Sequence, residues 1–260
     1  MKGKKIATIT FHRAENHGSA LQTFALQHFI KTLDKNSIVD YSVIDLNAQS
    51  QREIYSLYRT CNSLAAFIKN VVTALYKKEL VERKNKFDNF LKEHINLTPP
   101  FDNSDDASLV LNDYDCLISG SDQIWNVRAR DFADFYYLNF ITTPRRISYA
   151  ASFGPLKINW EKYDTEKYSE FLNKYQHISV RELGSAHNVE YLTGRSCEIH
   201  VDPTLLLDID DWRKVQSDAN YHNGQYILLY CLEPSKAQLK LAKAISKKLK
   251  LPIVALRYNN

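Results

Sequence analysis

An α/β fold organised around a parallel sheet is the architecture this sequence predicts, and two observations predict it. Short apolar runs that read as strands alternate with longer stretches of helical period, and strand after strand ends in small or polar residues. The N-terminal order strand–helix–strand also implies a right-handed βαβ crossover, which makes the neighbouring strands parallel.

The first strand runs from Lys5 to Phe11. A polar loop follows, then a helix from Ser19 to Leu33 with Leu21, Phe24, Ala25, His28 and Phe29 on one face. Tyr41 to Leu46 supplies the next strand. Residues 51–100 break the alternation as a helical insertion. Within it Leu64, Phe67, Ile68, Val71, Val72 and Leu75 recur at helical spacing, as do Leu80, Phe87, Phe90, Leu91 and Ile95, before Pro99-Pro100. The expectation is a helical pair laid over the sheet as a cover for its core. Strand signals return at 115–119, 147–151, 178–181 and 198–201, completing a Rossmann-like domain over residues 1–208. Residues 209–223 are acidic and polar and read as a linker with a short helix around Trp212. Tyr226–Leu232, Ser235–Leu249 and Pro252–Leu256 then form one more strand–helix–strand unit. Residues 224–260 fall below the roughly 40 residues that fold unaided, so they are expected to begin a second Rossmann-like domain that is cut short.

Composition narrows the function classes. A net charge of +4, with cations scattered among acids except near Lys77, Lys78, Arg83, Lys84 and Lys86, lacks the concentrated basic face of a nucleic-acid binder. Cys61, Cys116, Cys197 and Cys231 are far apart and form no CxxC pair, which argues against a metal centre or a disulfide framework and for a reducing compartment. The apolar run Ile6–Phe11 is too short for a signal-peptide core, and no run approaches membrane-spanning length. A cytoplasmic protein without a transmembrane segment is expected, and a homo-oligomer is left open.

Five strand-end segments carry the chemistry. The loop His12 to Ser19 sets backbone N–H groups and a helix N-terminus toward an anion. Its one glycine, Gly18, rules out a dinucleotide fingerprint. Asn16 or Ser19 can equally serve as a helix cap, while His12 and His17 are able to bind phosphate or move a proton near neutral pH. Gly120-Ser121-Asp122-Gln123-Ile124-Trp125-Asn126 is the densest reactive stretch in the chain. Ser148-Tyr149-Ala150-Ala151-Ser152-Phe153-Gly154 has small residues that admit close approach to the backbone. Ile178-Ser179-Val180-Arg181-Glu182 ends a buried strand with an arginine, held by Glu182 or Asp202 or else forked onto a ligand carboxylate or phosphate. Asp202-Pro203-Thr204-Leu205-Leu206 reads as a structural turn.

In this order, from residue 16 to 206, the five motifs together with Ser19-Ala20-Leu21-Gln22 and Ala25-Leu26 resemble the polysaccharide pyruvyl transferase family. The resemblance implies a fold similar to the N-terminal half of a two-domain B-type glycosyltransferase. It also implies pyruvyl transfer from phosphoenolpyruvate, as donor substrate and without a cofactor or metal, onto two hydroxyls of a saccharide acceptor. Such chemistry needs a cationic clamp, for which Arg181 is expected, and proton transfer, for which Asp122 and Glu182 are the candidates. His17 is expected to bind phosphate. Asn16, Gly18, Gln22, Ser121, Gln123, Trp125, Asn126, Ser152 and Gly154 are expected to line the substrates, with Trp125 stacking on a sugar ring. Two alternatives stand beside this reading: a sugar-nucleotide-dependent glycosyltransferase, and a non-catalytic, truncated glycan-binding remnant.

Overall fold

A computed structural model describes residues 3–33, 39–47, 49–58, 60–61, 63–217, 223–231 and 234–256. The chain divides into two compact units, residues 1–213 and 214–260. The first is built on parallel strands β1 (Lys4–Ile9), β2 (Val39–Val43), β3 (Cys116–Ser119) and β4 (Arg145–Ser148), in the order β2-β1-β3-β4. Bridges from Ile147 to His177 and from Ala151 to Val180 carry the parallel order on to β5 (Ser179–Val180), which pairs with β6 (Glu198–Ile199). Ala7 lies between Ser42 and Leu117 in register. Ala7, Ile9, Val43 and Leu117 are all fully buried, as continuous apolar strands are when helices cover both faces of a parallel sheet. The strand order reverses between β1 and β3, the place where open α/β sheets bind ligands.

Helix α1 (His17–Leu33) follows β1, with Asn16 accepting from Gly18 N at 2.8 Å as its cap. Its buried arc differs from the expected apolar stripe. Leu21 is exposed, whereas Gln22, Thr23 and Gln27 are buried. The reason is a second covering layer. Phe24 meets Phe90 of α4 (Lys77–His94) at 6.2 Å and Trp212 of α8 (Ile209–Arg213) at 5.9 Å. Within this wider arc Gln27 is satisfied at both ends of its amide: it donates to His94 O at 2.7 Å and accepts from Asn96 N at 2.7 Å. α8 belongs to the first unit, so the division falls five residues beyond residue 208.

The insertion comprises α2 (Gln49–Ile54), α3 (Leu64–Leu75) and α4. α4 delivers Leu91 to the core, and its C-cap residue Ile95 is buried as well. α3 does not cover it, contrary to expectation: Leu64, Phe67, Ile68, Val71, Val72 and Leu75 are all exposed, while the small Ala66 is buried. α4 follows α3 after Tyr76 alone and takes the position against α1, so the second helix of the pair carries the packing. α5 (Ser104–Leu111), capped by Asn103 on Asp106 N, buries Ala107 and Leu111 and leads into β3. α6 (Thr165–Asn173) and α7 (Leu183–Thr193) flank β5. Beyond β3 lies an aromatic core in which Trp125 stacks on Tyr137 at 5.3 Å with the rings nearly parallel. In the second unit β7 (Ile227–Tyr230) and β8 (Ile253–Leu256) pair in parallel around α9 (Lys236–Leu249). A reciprocal capping box of Ser235 and Gln238 starts that helix.

The loop after β1 is fixed by a buried carboxylate. Asp45 accepts from Arg13 Nε at 2.7 Å and Nη2 at 2.5 Å, and its Oδ1 lies 3.0 Å from His12 Nε2. His12 is buried, and its other ring nitrogen faces Thr10 O at 3.1 Å. The expectation that His12 binds phosphate or relays a proton therefore fails: both nitrogens are already committed, away from solvent. Burial would raise the Asp45 carboxyl, but the bonds from Arg13 and His12 outweigh it and hold its pKa well below the ordinary range. A depressed pKa stabilises the fold above the unfolded value of about 4, and that contribution fades as pH falls through the folded one. Asp45→Asn is expected to cost about 2 kcal/mol at neutral pH, toward the low end for charged hydrogen bonds because Arg13 is partly exposed. In thermal melts across pH the gap to wild type should shrink below about pH 4; a gap independent of pH would exclude the ionic origin.

Candidate active site

Gly120 leaves β3 where a side chain has no room, since a Cβ there would lie 2.5 Å from Thr8 Cγ2 of β1. This close approach brings the loop after β3 beside the N-terminus of α1. Asp122, the next residue but one, has a φ of 80°, the left-handed region that few non-glycine residues occupy. Its side chain holds it there: Oδ1 accepts from Gln123 N at 2.8 Å and Oδ2 from Ser19 Oγ at 2.5 Å. Asp122 is half-buried.

The loop after β4 closes on the same place. Ser152 N donates to Asp122 O at 3.0 Å, and Trp125 N to Ser152 O at 3.1 Å. Gly154 has a φ of 84°, and a Cβ there would sit 2.6 Å from Asn126 Nδ2. Asn126 in turn donates to Gln123 Oε1 at 3.0 Å. Ser152 Oγ accepts from Gly154 N and donates to Glu182 Oε1 at 2.8 Å, while Ser185 Oγ donates to the same oxygen.

Arg181, at the carboxyl end of β5, is half-buried and ion-paired. Its Nη1 donates to Asp202 Oδ2 at 2.8 Å and lies 3.5 Å from Ser121 Oγ, and its Nε lies 3.6 Å from Glu182 Oε2. Ser121 Oγ also donates to Asp202 Oδ2, at 3.2 Å. Burial would raise the Asp202 carboxyl; the bonds from Thr204 N and Oγ1 and from Arg181 outweigh it and lower its pKa. Asp202 is thus the structural turn residue the sequence suggests, and it also orients Arg181. The clusters around Asp122 and Arg181 join through neighbouring residues of one loop, Ser121 and Asp122. Together they form a polar rim across the carboxyl ends of β3, β4 and β5.

Not every expected lining residue reaches this rim. Trp125 is fully buried, with its indole N–H directed to Tyr136 O at 3.3 Å and its ring packed on Tyr137, Phe153 and Tyr175. No face is left for a sugar ring, so the stacking role fails. Gln22 is buried too; its amide nitrogen spans Thr10 Oγ1, Ser19 O and Thr23 Oγ1 and pins the start of α1 to the loop after β1. Asn16, His17 and Gly18 are exposed at the helix start, and the His17 ring lies 5.0 Å from Phe87 of α4.

Phe87 also lines a cavity of about 330 Å³, whose wall includes Arg13, Glu15, Arg52, Tyr55 and Lys84. Arg13 and Glu15 belong to the loop after β1, whereas Arg52, Tyr55, Lys84 and Phe87 were not singled out, because they come from α2, the residue after it and α4 rather than from a contiguous motif. Tyr149 and His200 were missed as well. Their rings lie 5.6 Å apart, and His200 Nδ1 is buried without a hydrogen-bond partner. The usable signal for His200 was its position just past a strand, two residues before Asp202. Among the described residues no His, Cys, Asp and Glu grouping could hold a metal ion, and no helix is long and apolar enough to cross a membrane.

Comparison with known proteins agrees with the five-motif resemblance. A family model of polysaccharide pyruvyl transferases matches residues 16–260, which include the whole rim from Ser19 to Asp202. A search of curated proteins gave no match. With most of its length inside that family model, and with the motif residues gathered at the switch point of a parallel sheet, the chain belongs to the polysaccharide pyruvyl transferase family.

Proposed function

We propose that this chain transfers the pyruvyl group of phosphoenolpyruvate to two hydroxyls of a saccharide, forming a cyclic pyruvate ketal and releasing phosphate. The observation that carries the reading is the junction of an oriented arginine (Arg181) with a half-buried aspartate on a left-handed backbone (Asp122) at the sheet's switch point. A proton added to the donor's methylene carbon makes the methyl group and leaves a cationic carbon. One acceptor hydroxyl adds to that carbon and gives up its proton, which restores the acid, and the second displaces phosphate, which leaves with that hydroxyl's proton.

Each step asks for a group the rim offers. The N–H groups of Arg181 that its carboxylates do not use suit a donor carboxylate or phosphate. Asp122 carries the proton transfer, its carboxylate aimed by Ser19 and Gln123 N. Glu182 remains the second candidate, but its bonds from Ser152 and Ser185 and its pairing with Arg181 favour orienting the clamp. His17, exposed at the start of α1, adds a phosphate partner beside free helix N–H groups. Gln123 and Asn126 offer hydrogen bonds to the acceptor. The neighbouring cavity, with Phe87 and Tyr55 in its wall, takes over the ring-stacking part that Trp125 cannot play.

Arg181→Ala should weaken phosphoenolpyruvate binding at least about tenfold, or ~1.4 kcal/mol, by calorimetry. Lysine at that position should not restore it, because it lacks the fork. Unchanged affinity would remove Arg181 from the donor site. For activity, phosphate release from phosphoenolpyruvate should require a saccharide acceptor. Asp122→Asn should lower turnover by roughly 10²–10⁴-fold at an unchanged melting temperature, because asparagine tolerates the left-handed backbone. Wild-type turnover in that variant would end the proton-transfer role.

A further inference from the structure

From Ile54 to Lys78 the sequence carries the cations Arg59, Lys69, Lys77 and Lys78 and no carboxylate, in a chain with 30 Asp and Glu. Helix α3 sits at the centre of this stretch. Leu64, Phe67, Ile68, Val71, Val72 and Leu75 recur at the spacing that lines one helix face, yet Leu64 and Leu75 are each 76% exposed and Phe67 is 57% exposed. Tyr58 and Tyr76, also exposed, flank the helix, and Lys77 and Lys78 stand exposed directly after it. An apolar stripe of this length on a water-facing helix marks a surface that something covers.

Charge decides between the occupants. The 12 residues of α3 span about 18 Å, too short for a hydrocarbon core of about 30 Å. A second copy meeting the stripe across a two-fold axis would set the same acid-free, cationic segment against itself. An anionic lipid surface satisfies both properties at once. The stripe sinks into the boundary between headgroups and acyl chains, tyrosines sit at the polar interface, and the lysines face lipid phosphates. We propose that α3 is an interfacial helix that docks this protein on anionic membranes. The proposal stands independently of the pyruvyl-transfer reading, since none of its residues belongs to the rim.

Co-sedimentation of the full chain tests it, with vesicles of phosphatidylcholine alone and of phosphatidylcholine mixed with phosphatidylglycerol. The expected result is partition onto the mixed vesicles only, weakening as salt is added. Phe67→Asp with Val71→Asp should abolish it, and Lys77→Glu with Lys78→Glu should lower it at least about tenfold. Both should keep the wild-type circular dichroism, because the positions are exposed. Leu109→Asp, an equally exposed leucine on α5, should change nothing. Failure of the wild type to bind the mixed vesicles, or binding that survives Phe67→Asp with Val71→Asp, overturns the proposal. So does a wild-type dimer that this variant dissociates without any vesicle binding, which assigns the stripe to a second copy.

Discussion

Much of this structure depends on the contact between Arg181 and Asp202, with Ser121 against both. Three segments far apart in sequence meet there: the loop after β3, the end of β5 and the turn after β6. Arg181 and Asp202 balance each other's charge directly, and Ser121 ties the pair to the β3 loop. A guanidinium at the end of a buried strand is costly unless paired, and an acid beside it is costly for the same reason. The depressed pKa of Asp202 is the electrostatic trace of that arrangement. Ser121, fully buried, carries the constraint to Asp122, whose left-handed backbone gives its carboxylate a direction that relaxed geometry would not.

A second constraint is the crowding between β1 and β3. Gly120 allows the β3 loop to pass Thr8 closely, so that Ser19 on α1 can reach Asp122 across the switch point. Gly154 does the same for the β4 loop against Asn126. The rim is therefore assembled from backbone proximity first and side-chain chemistry second. Opposite it, the Asp45–Arg13–His12 cluster fixes the loop that opens the cavity beside His17 and Phe87. Polar groups that look catalytic in isolation divide into two sets. At the rim Asp122, Arg181 and Glu182 are half-buried, and groups beneath it, such as His12 and Gln22, hold the rim in place.

Much of this organisation was legible in the residues. Strand runs ending in small or polar groups located the rim, because a parallel sheet puts every strand's carboxyl end on one side. The βαβ order set the sheet's direction, and the five motifs in sequence pointed to the family. What was not legible concerns direction rather than type. Helical period identifies an apolar face but not its neighbour, so α3 was read as a core cover although α4 takes that place. A tryptophan among polar residues reads as a sugar platform, yet Trp125 turns inward because the aromatic core under the loop offers it Tyr137, Phe153 and Tyr175. The polar arc of α1 was invisible for the complementary reason: Gln27 is buried with its hydrogen bonds satisfied by His94 and Asn96, groups many residues away.

The central claim is that phosphoenolpyruvate binds at the rim joining Asp122 to Arg181. Amide hydrogen exchange with and without phosphoenolpyruvate tests it most directly, because it reads location rather than activity. The account predicts slower exchange in residues 16–20, 120–126, 152–154 and 181–185, with α3 and the segment after it unchanged. Protection confined to other segments, or no protection at saturating donor, would contradict it.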